Sequence, residues 1–172
     1  MMRAALGLGL LVFTFGFVGS SYAQSVDELI KAADAGNAVA ESKLADKFQS
    51  GDGVQKDLKK AFCWAHRSAD HGFPNAWLTV GMSYGMGTGV TKDNIESYKW
   101  FYILNSIPET AKDPEISKWG KEDAAGISRQ MTPEQISEAK RRADLWWKTV
   151  VSRGHPTANQ MYVPYAGDRP AC

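Results

Sequence analysis

Gly51-Asp-Gly-Val-Gln-Lys-Asp57 recurs 36 positions later as Gly87-Thr-Gly-Val-Thr-Lys-Asp93, and a heptad of this composition fits a connection between two helices. A glycine just past an amphipathic stretch takes the left-handed conformation that satisfies the last carbonyls of a helix. The second glycine keeps the turn tight, the valine plugs the hairpin, and the aspartate caps the helix that follows. A glycine-rich loop before a helix can also cradle phosphate. This one repeats, follows a helix rather than a strand, and sets an anionic Asp at the helix start, so the turn explains it better.

Around the heptad the likeness extends over the whole of 33–68 and 69–104. The two segments agree at Ala33/Ala69, Asp34/Asp70, Gly36/Gly72, Ala40/Ala76, Gly51/Gly87, Gly53/Gly89, Val54/Val90, Lys56/Lys92, Asp57/Asp93 and Trp64/Trp100. Leu44/Val80, Phe48/Tyr84 and Phe62/Tyr98 are like-for-like pairs. Self-similarity at a period between 20 and 50 marks a stack of supersecondary units. Helices are expected over 37–50, with Ala40, Leu44, Ala45 and Phe48 on one side, and over 57–71, with Leu58, Ala61, Phe62, Ala65 and Ala69 inward and Trp64 beside them. Their copies are 73–86 and 93–106; Asp93 to Glu96 forms a capping box, and the second of these is aromatic enough to be buried from more than one side. A short leading helix starts at the capping box Ser25 to Glu28 and carries Leu29, Ile30, Ala32 and Ala33 inward.

The pattern A-x-A-x-x-x-[LV]-[GA]-x-x-[FY]-x-x-G-x-G-V-x-x-D-x-x-x-A-x-x-W, with fixed spacing across the turn and present twice, resembles the Sel-like repeat (SLR) family, relatives of the tetratricopeptide repeats. Ala38, Ala40, Leu44, Phe48, Gly51, Gly53, Val54, Asp57, Ala61 and Trp64 carry it in the first copy; Ala76, Gly81, Tyr84, Gly87, Gly89, Val90, Asp93 and Trp100 carry it in the second. Pro74, Trp77, Ala45 and Ser97 depart from the family's usual residues. The resemblance implies an all-α fold, an α-solenoid of antiparallel helix hairpins: two SLR units plus a C-terminal capping hairpin. That hairpin is expected at 115–130 and 133–153, opened by Thr132, Pro133 and Gln135 and bearing an apolar stripe of Ile136, Ala139, Ala143, Trp146, Trp147, Val150 and Val151. Lys140, Arg141 and Arg142 fall on its wet side, as a solvated face or an acidic-partner contact.

At the start, Arg3 is followed by an apolar run from Leu6 to Val18 and by Ser21-Tyr22-Ala23. This is the pattern of a secretory signal cleaved after Ala23, too short at 13 residues for the roughly 20 of a membrane span. The expected division is a signal peptide at 1–23, an SLR domain at 24–154 and an extended tail at 155–172, with a mature chain that starts at Gln24, does not insert in a membrane and is periplasmic or secreted. Lys and Arg number 20 against 19 Asp and Glu; Arg3 leaves with the signal, so the remainder is formally neutral and nothing draws it to nucleic acid. Cys63, in mid-helix, and Cys172 are expected to stay unpaired, because a bridge would need the tail to fold back onto a helix.

His66, His71 and His155 lack metal-ligand spacing, no Ser or Cys has a recognisable base, and solvated helix faces account for the carboxylates. No catalytic residue, metal or cofactor is therefore expected. SLR resemblance implies a non-catalytic adaptor, regulator or inhibitor whose partner is another periplasmic or envelope protein. Two alternatives are a cell-wall or β-lactam-directed enzyme of the cysteine-rich SLR type, against which the missing per-repeat cysteines argue, and a structural scaffold. First helices of SLR hairpins line the concave side; on 73–86 the set left over from packing is Asn75, Trp77, Leu78, Met82 and Ser83, the expected protein-binding residues. Trp77 and Leu78 could equally pack under a neighbouring hairpin.

Overall fold

A computed structural model describes residues 25–106, 113–152 and 172. Among the described residues there are helices and no strands: α1 (Val26–Asp34), α2 (Ala38–Ser50), α3 (Leu58–Asp70), α4 (Pro74–Met86), α5 (Asn94–Ser106), α6 (Pro114–Ser128) and α7 (Pro133–Ser152). The expected signal at 1–23 and the tail at 155–171 lie outside the described residues.

Local chemistry sets the helix ends. Gly51 and Gly87 close α2 and α4 in the left-handed conformation, at φ 86° and 74°. Asp57 Oδ1 then accepts from the Lys59 and Lys60 N–H groups, and Asp93 Oδ1 from Ile95 and Glu96, which starts α3 and α5. Gly89 has a further reason to be glycine, since a β-carbon there would overlap the Leu58 carbonyl: the second turn is pressed against the start of α3. Ser25 and Glu28 close a full capping box on α1, as do Thr132 and Gln135 on α7. At α5 the box is half made. Glu96 is drawn away instead to Lys99 Nζ at 2.6 Å and Arg142 Nη1 at 2.7 Å.

Successive helices pack α1 on α2, α2 on α3, α3 on α4 and α4 on α5, the alternation of an all-α solenoid. Leu29, Leu44, Val80, Trp77, Trp100 and Leu104 fill one continuous core, with Ala40, Ala45, Ala65, Ala69 and Ala76 letting the backbones approach. The C-terminal pair departs from the repeats: α6 and α7 both pack on α5 rather than on each other. The cause is α5 itself, whose Trp100, Phe101, Ile103 and Leu104 are all buried and need cover on several sides. In consequence the expected stripe on α7 is buried at Ala139 and Ala143 and partly buried at Ile136 and Trp146, while Trp147 and the neighbouring Leu145 are exposed; the side chains of Val150 and Val151 lie outside the described residues.

The cysteines correct the sequence expectation. Cys63 and Cys172 form a disulfide with their Cα atoms 5.7 Å apart, across 109 positions. Cys63 is half-buried rather than sealed in the core, so a returning chain end can reach it.

Candidate protein-binding groove

Met82 and Met86 lie one turn apart on α4 and are 40% and 64% exposed, which makes them a ridge of polarizable side chains standing out of the fold. A recess of about 400 Å³ opens on one side, between α4 and α6. Gly85 and the two methionines line it from α4, Ser97 and Phe101 form its floor on α5, and Asp123, Gly126 and Ile127 face it from α6. Arg129 and Gln130 stand at its end. The α6 residues recur at helical spacing of three and four, so one face of that helix is turned to the recess. On the other side of the ridge a smaller recess, about 120 Å³, lies between α3 and α4 and is lined by Leu58, Ala61, Phe62, Thr79, Ser83 and Gln49 among others.

Glycine makes the larger recess possible. A β-carbon at Gly126 would meet no heavy atom closer than Arg129 Nη2 at 3.8 Å, so the space beside it is open. The Ser97 hydroxyl is committed to packing, donating to the Gly81 carbonyl at 2.7 Å. Burial pushes the Asp123 carboxyl above the usual carboxylate range and the neighbouring Glu122 adds to the effect.

The expected contact residues separate in the structure. Met82 and Ser83 line the smaller recess, Ser83 nearly buried with its hydroxyl donating to the Thr79 carbonyl at 2.8 Å. Asn75 is exposed in the first turn of α4 and Leu78 packs partly against the core; neither lines the two recesses. Trp77 is corrected outright. It is fully buried, its Nε1–H donates to the Ala69 carbonyl at 2.8 Å, and its ring meets Trp146 edge-on, so it belongs to the core and cannot touch a partner. Met86 was missed, although its place four residues after Met82 on the same helix puts it on the same face.

The titratable residues away from the groove hold the fold. Glu41 is fully buried on α2, with Oε2 2.6 Å from His71 Nδ1 and Oε1 3.2 Å from Arg67 Nη2. Arg67 also donates to the Ala33 carbonyl and stacks over the Trp64 ring. Of the basic triplet, Arg141 and Arg142 both bind Glu138, and Arg142 reaches Glu96, so two of its three charges are engaged within the chain. Hydrogen bonds from Arg141 and Arg142 bring Glu138 down to about 2. Among the described residues no group of three or more His, Cys, Asp and Glu is placed to hold a metal ion, and no helix is long and apolar enough to cross a membrane.

The Sel1 repeat family model matches residues 38–73 and 80–103. Over 86 residues the chain is 34% identical to chitin synthase regulator SKT5 of Saccharomyces cerevisiae, a stretch that is 49% of this chain and 12% of the yeast protein. Its fold is similar to that of a protective antigen present in uropathogenic Escherichia coli strains, whose crystal structure displays an SLR fold: TM-score 0.66 and 21% identity, over 86% of this chain and 30% of that one. A Sel1 repeat protein from Oxalobacter formigenes is also similar, at TM-score 0.48 and 25% identity over 75% of this chain and 47% of that one. The chain thus spans less than half of each of these proteins. Repeated heptads, capped helix pairs and a shared fold lead to one assignment: the chain is a Sel-like repeat protein, with Sel1 repeats at 38–73 and 80–103.

Proposed function

We propose that this protein is an exported, non-catalytic adaptor or regulator that holds an apolar segment of another envelope protein across the Met82–Met86 ridge. The observation that carries the reading is the ridge itself: two exposed methionines one turn apart, with a recess on either side. Methionine-rich surfaces adapt to varied apolar partners, and a helix or extended segment seats its anchors in grooves of this kind. Sel1 repeat proteins are generally protein-interaction modules, and the yeast relative is named as a regulator, which supports a binding role for this chain.

Export is supported by the Cys63–Cys172 disulfide, since such bonds persist in oxidising compartments. Residues 24–154 are then the working unit, released from 1–23. The test uses the mature protein as bait in a crosslinked envelope extract, beside Met82→Lys/Met86→Lys. Both side chains are exposed, so the double variant should melt within a degree or two of wild type and yet lose a stoichiometric partner. Equal capture by the two baits would reject the groove. Recovery of uncleaved chain in the membrane fraction would reject export.

A further inference from the structure

Asp123 has no hydrogen-bond or ion-pair partner among the described residues, yet it is partly buried in the lining of the larger recess. A partly desolvated carboxylate without a cation is costly to keep and more costly to cover. Any segment that fills this recess must deal with it. The other charged lining residue, Arg129, is exposed and makes no ion pair with Asp123, so it does not offset that charge. Glu122 adds a second negative charge beside Asp123. An acidic or neutral segment would finish the desolvation of Asp123 and return nothing, whereas a cation would return a charge-assisted hydrogen bond as the segment covers the recess.

We infer that the groove takes a segment in which a lysine or arginine stands beside the apolar anchor, the cation against Asp123 and the anchor over Ile127 and Met86. This rests on the groove being the binding site. Geometry fixes the spacing on the partner: Asp123 and Ile127 are one helical turn apart, about 5–6 Å, so a helical partner carries the two groups three or four residues apart. Gly126, between them and without a side chain, leaves room for the anchor.

Random dodecapeptides displayed on phage, panned on the disulfide-bonded mature protein and on Asp123→Asn and Gly126→Leu, test this. Wild type should enrich Leu, Ile, Phe or Met with Lys or Arg within four positions, and Asp123→Asn should keep the apolar preference and lose the basic one. By fluorescence anisotropy, exchanging that Lys for Glu in a selected peptide should weaken binding to wild type by tenfold or more and to Asp123→Asn by much less. An apolar preference with no basic companion, or an equal basic preference on Asp123→Asn, overturns the proposal and leaves the groove standing. Wild type and Gly126→Leu enriching the same peptides, or wild type enriching none, overturns both.

Discussion

The indole N–H of Trp146 donates to Oδ1 of Asp70 at 3.0 Å, across 76 positions, and so ties α7 to the last turn of α3. Asp70 Oδ2 lies 3.1 Å from His66 Nδ1, and the Trp146 ring stands edge-on to Trp100 and Trp77, so this one carboxylate anchors a cluster drawn from both repeats and the C-terminal helix. Burial pushes the Asp70 carboxyl up, but the His66 hydrogen bond and charge, the Trp146 N–H and Lys99 outweigh it and leave it below its ordinary value. A carboxylate with a depressed folded pKa stabilises where it is ionised, above roughly pH 4, and that contribution is lost as pH falls through the folded value. Urea midpoints of wild type should therefore fall steeply below about pH 4, and Asp70→Asn should show a lower midpoint at neutral pH with a shallower acid limb. Parallel limbs would mean that Asp70 is not among the carboxylates that govern acid unfolding.

The Cys63–Cys172 bond closes a loop spanning 109 positions, and chain-entropy arguments assign such a bond a stabilisation of up to about 5 kcal/mol. Losing a native disulfide commonly costs about 2–5 kcal/mol. Cys172→Ser, or dithiothreitol added to wild type, should lower the urea midpoint by a matching amount, and peptide mapping without reductant should recover the two cysteines in one crosslinked species. A midpoint indifferent to reductant would show that the bond does not constrain the unfolded chain.

How much of this was legible beforehand differs by level. The heptad at 51–57 and its copy fixed helix ends, turns and stacking, because each of their requirements is local. What escaped is what lies between repeats. Position 41 holds a glutamate and its repeat equivalent 77 a tryptophan, and both are fully buried. In the first repeat Arg67 donates to the Ala33 carbonyl and meets Glu41; in the second, Trp77 donates to the equivalent Ala69 carbonyl and Ile103 replaces the arginine. One buried site is thus built once from charge and once from hydrocarbon, and no helical periodicity marks it. Cys63 to Cys172 escaped for a related reason, since the distance between them is set by the whole solenoid. In the groove Met82 was visible as an apolar residue left over from packing, while Asp123 looked like any solvated acid until α6 took its place on α5.

Those two versions of one site make a paired prediction. Glu41→Ala takes from buried Arg67 the carboxylate it faces and from His71 the hydrogen bond at Nδ1, and should cost about 3–5 kcal/mol, the typical loss when one member of a buried pair is removed. Trp77→Ala and Trp100→Ala each empty a fully buried indole site and should also cost about 3–5 kcal/mol. Denaturant unfolding of the purified variants measures all three. Unchanged stability of Trp77→Ala would return that residue to the surface and restore it as a contact candidate.

Two glycines on neighbouring helices should respond to the same substitution with opposite sign. At Gly81 a β-carbon would sit 2.7 Å from Phe101 Cε1 and 3.0 Å from two further atoms of its ring, so this side chain, 1% exposed, would have to shift to admit it. In the first repeat the equivalent positions are Ala45 and Ala65, both buried, so the second repeat takes up the larger phenylalanine by giving up a methyl group opposite it. Overpacking of this kind costs about 1–3 kcal/mol, more than the helix propensity gained by replacing glycine, about 1 kcal/mol, so Gly81→Ala should destabilise. Gly126 has open space instead, and Gly126→Ala should raise the melting temperature slightly through propensity alone. Gly126→Leu goes further, filling the recess that Met86 and Ile127 line, and should leave a folded protein at least as stable as wild type that no longer captures its partner. Thermal melts and bait capture, run on the three variants together, separate the helix packing from the binding surface: a stable Gly126→Leu that still captures its partner places the contact surface elsewhere, and a Gly81→Ala as stable as wild type means that α4 and α5 lie farther apart than the Ser97 to Gly81 hydrogen bond requires.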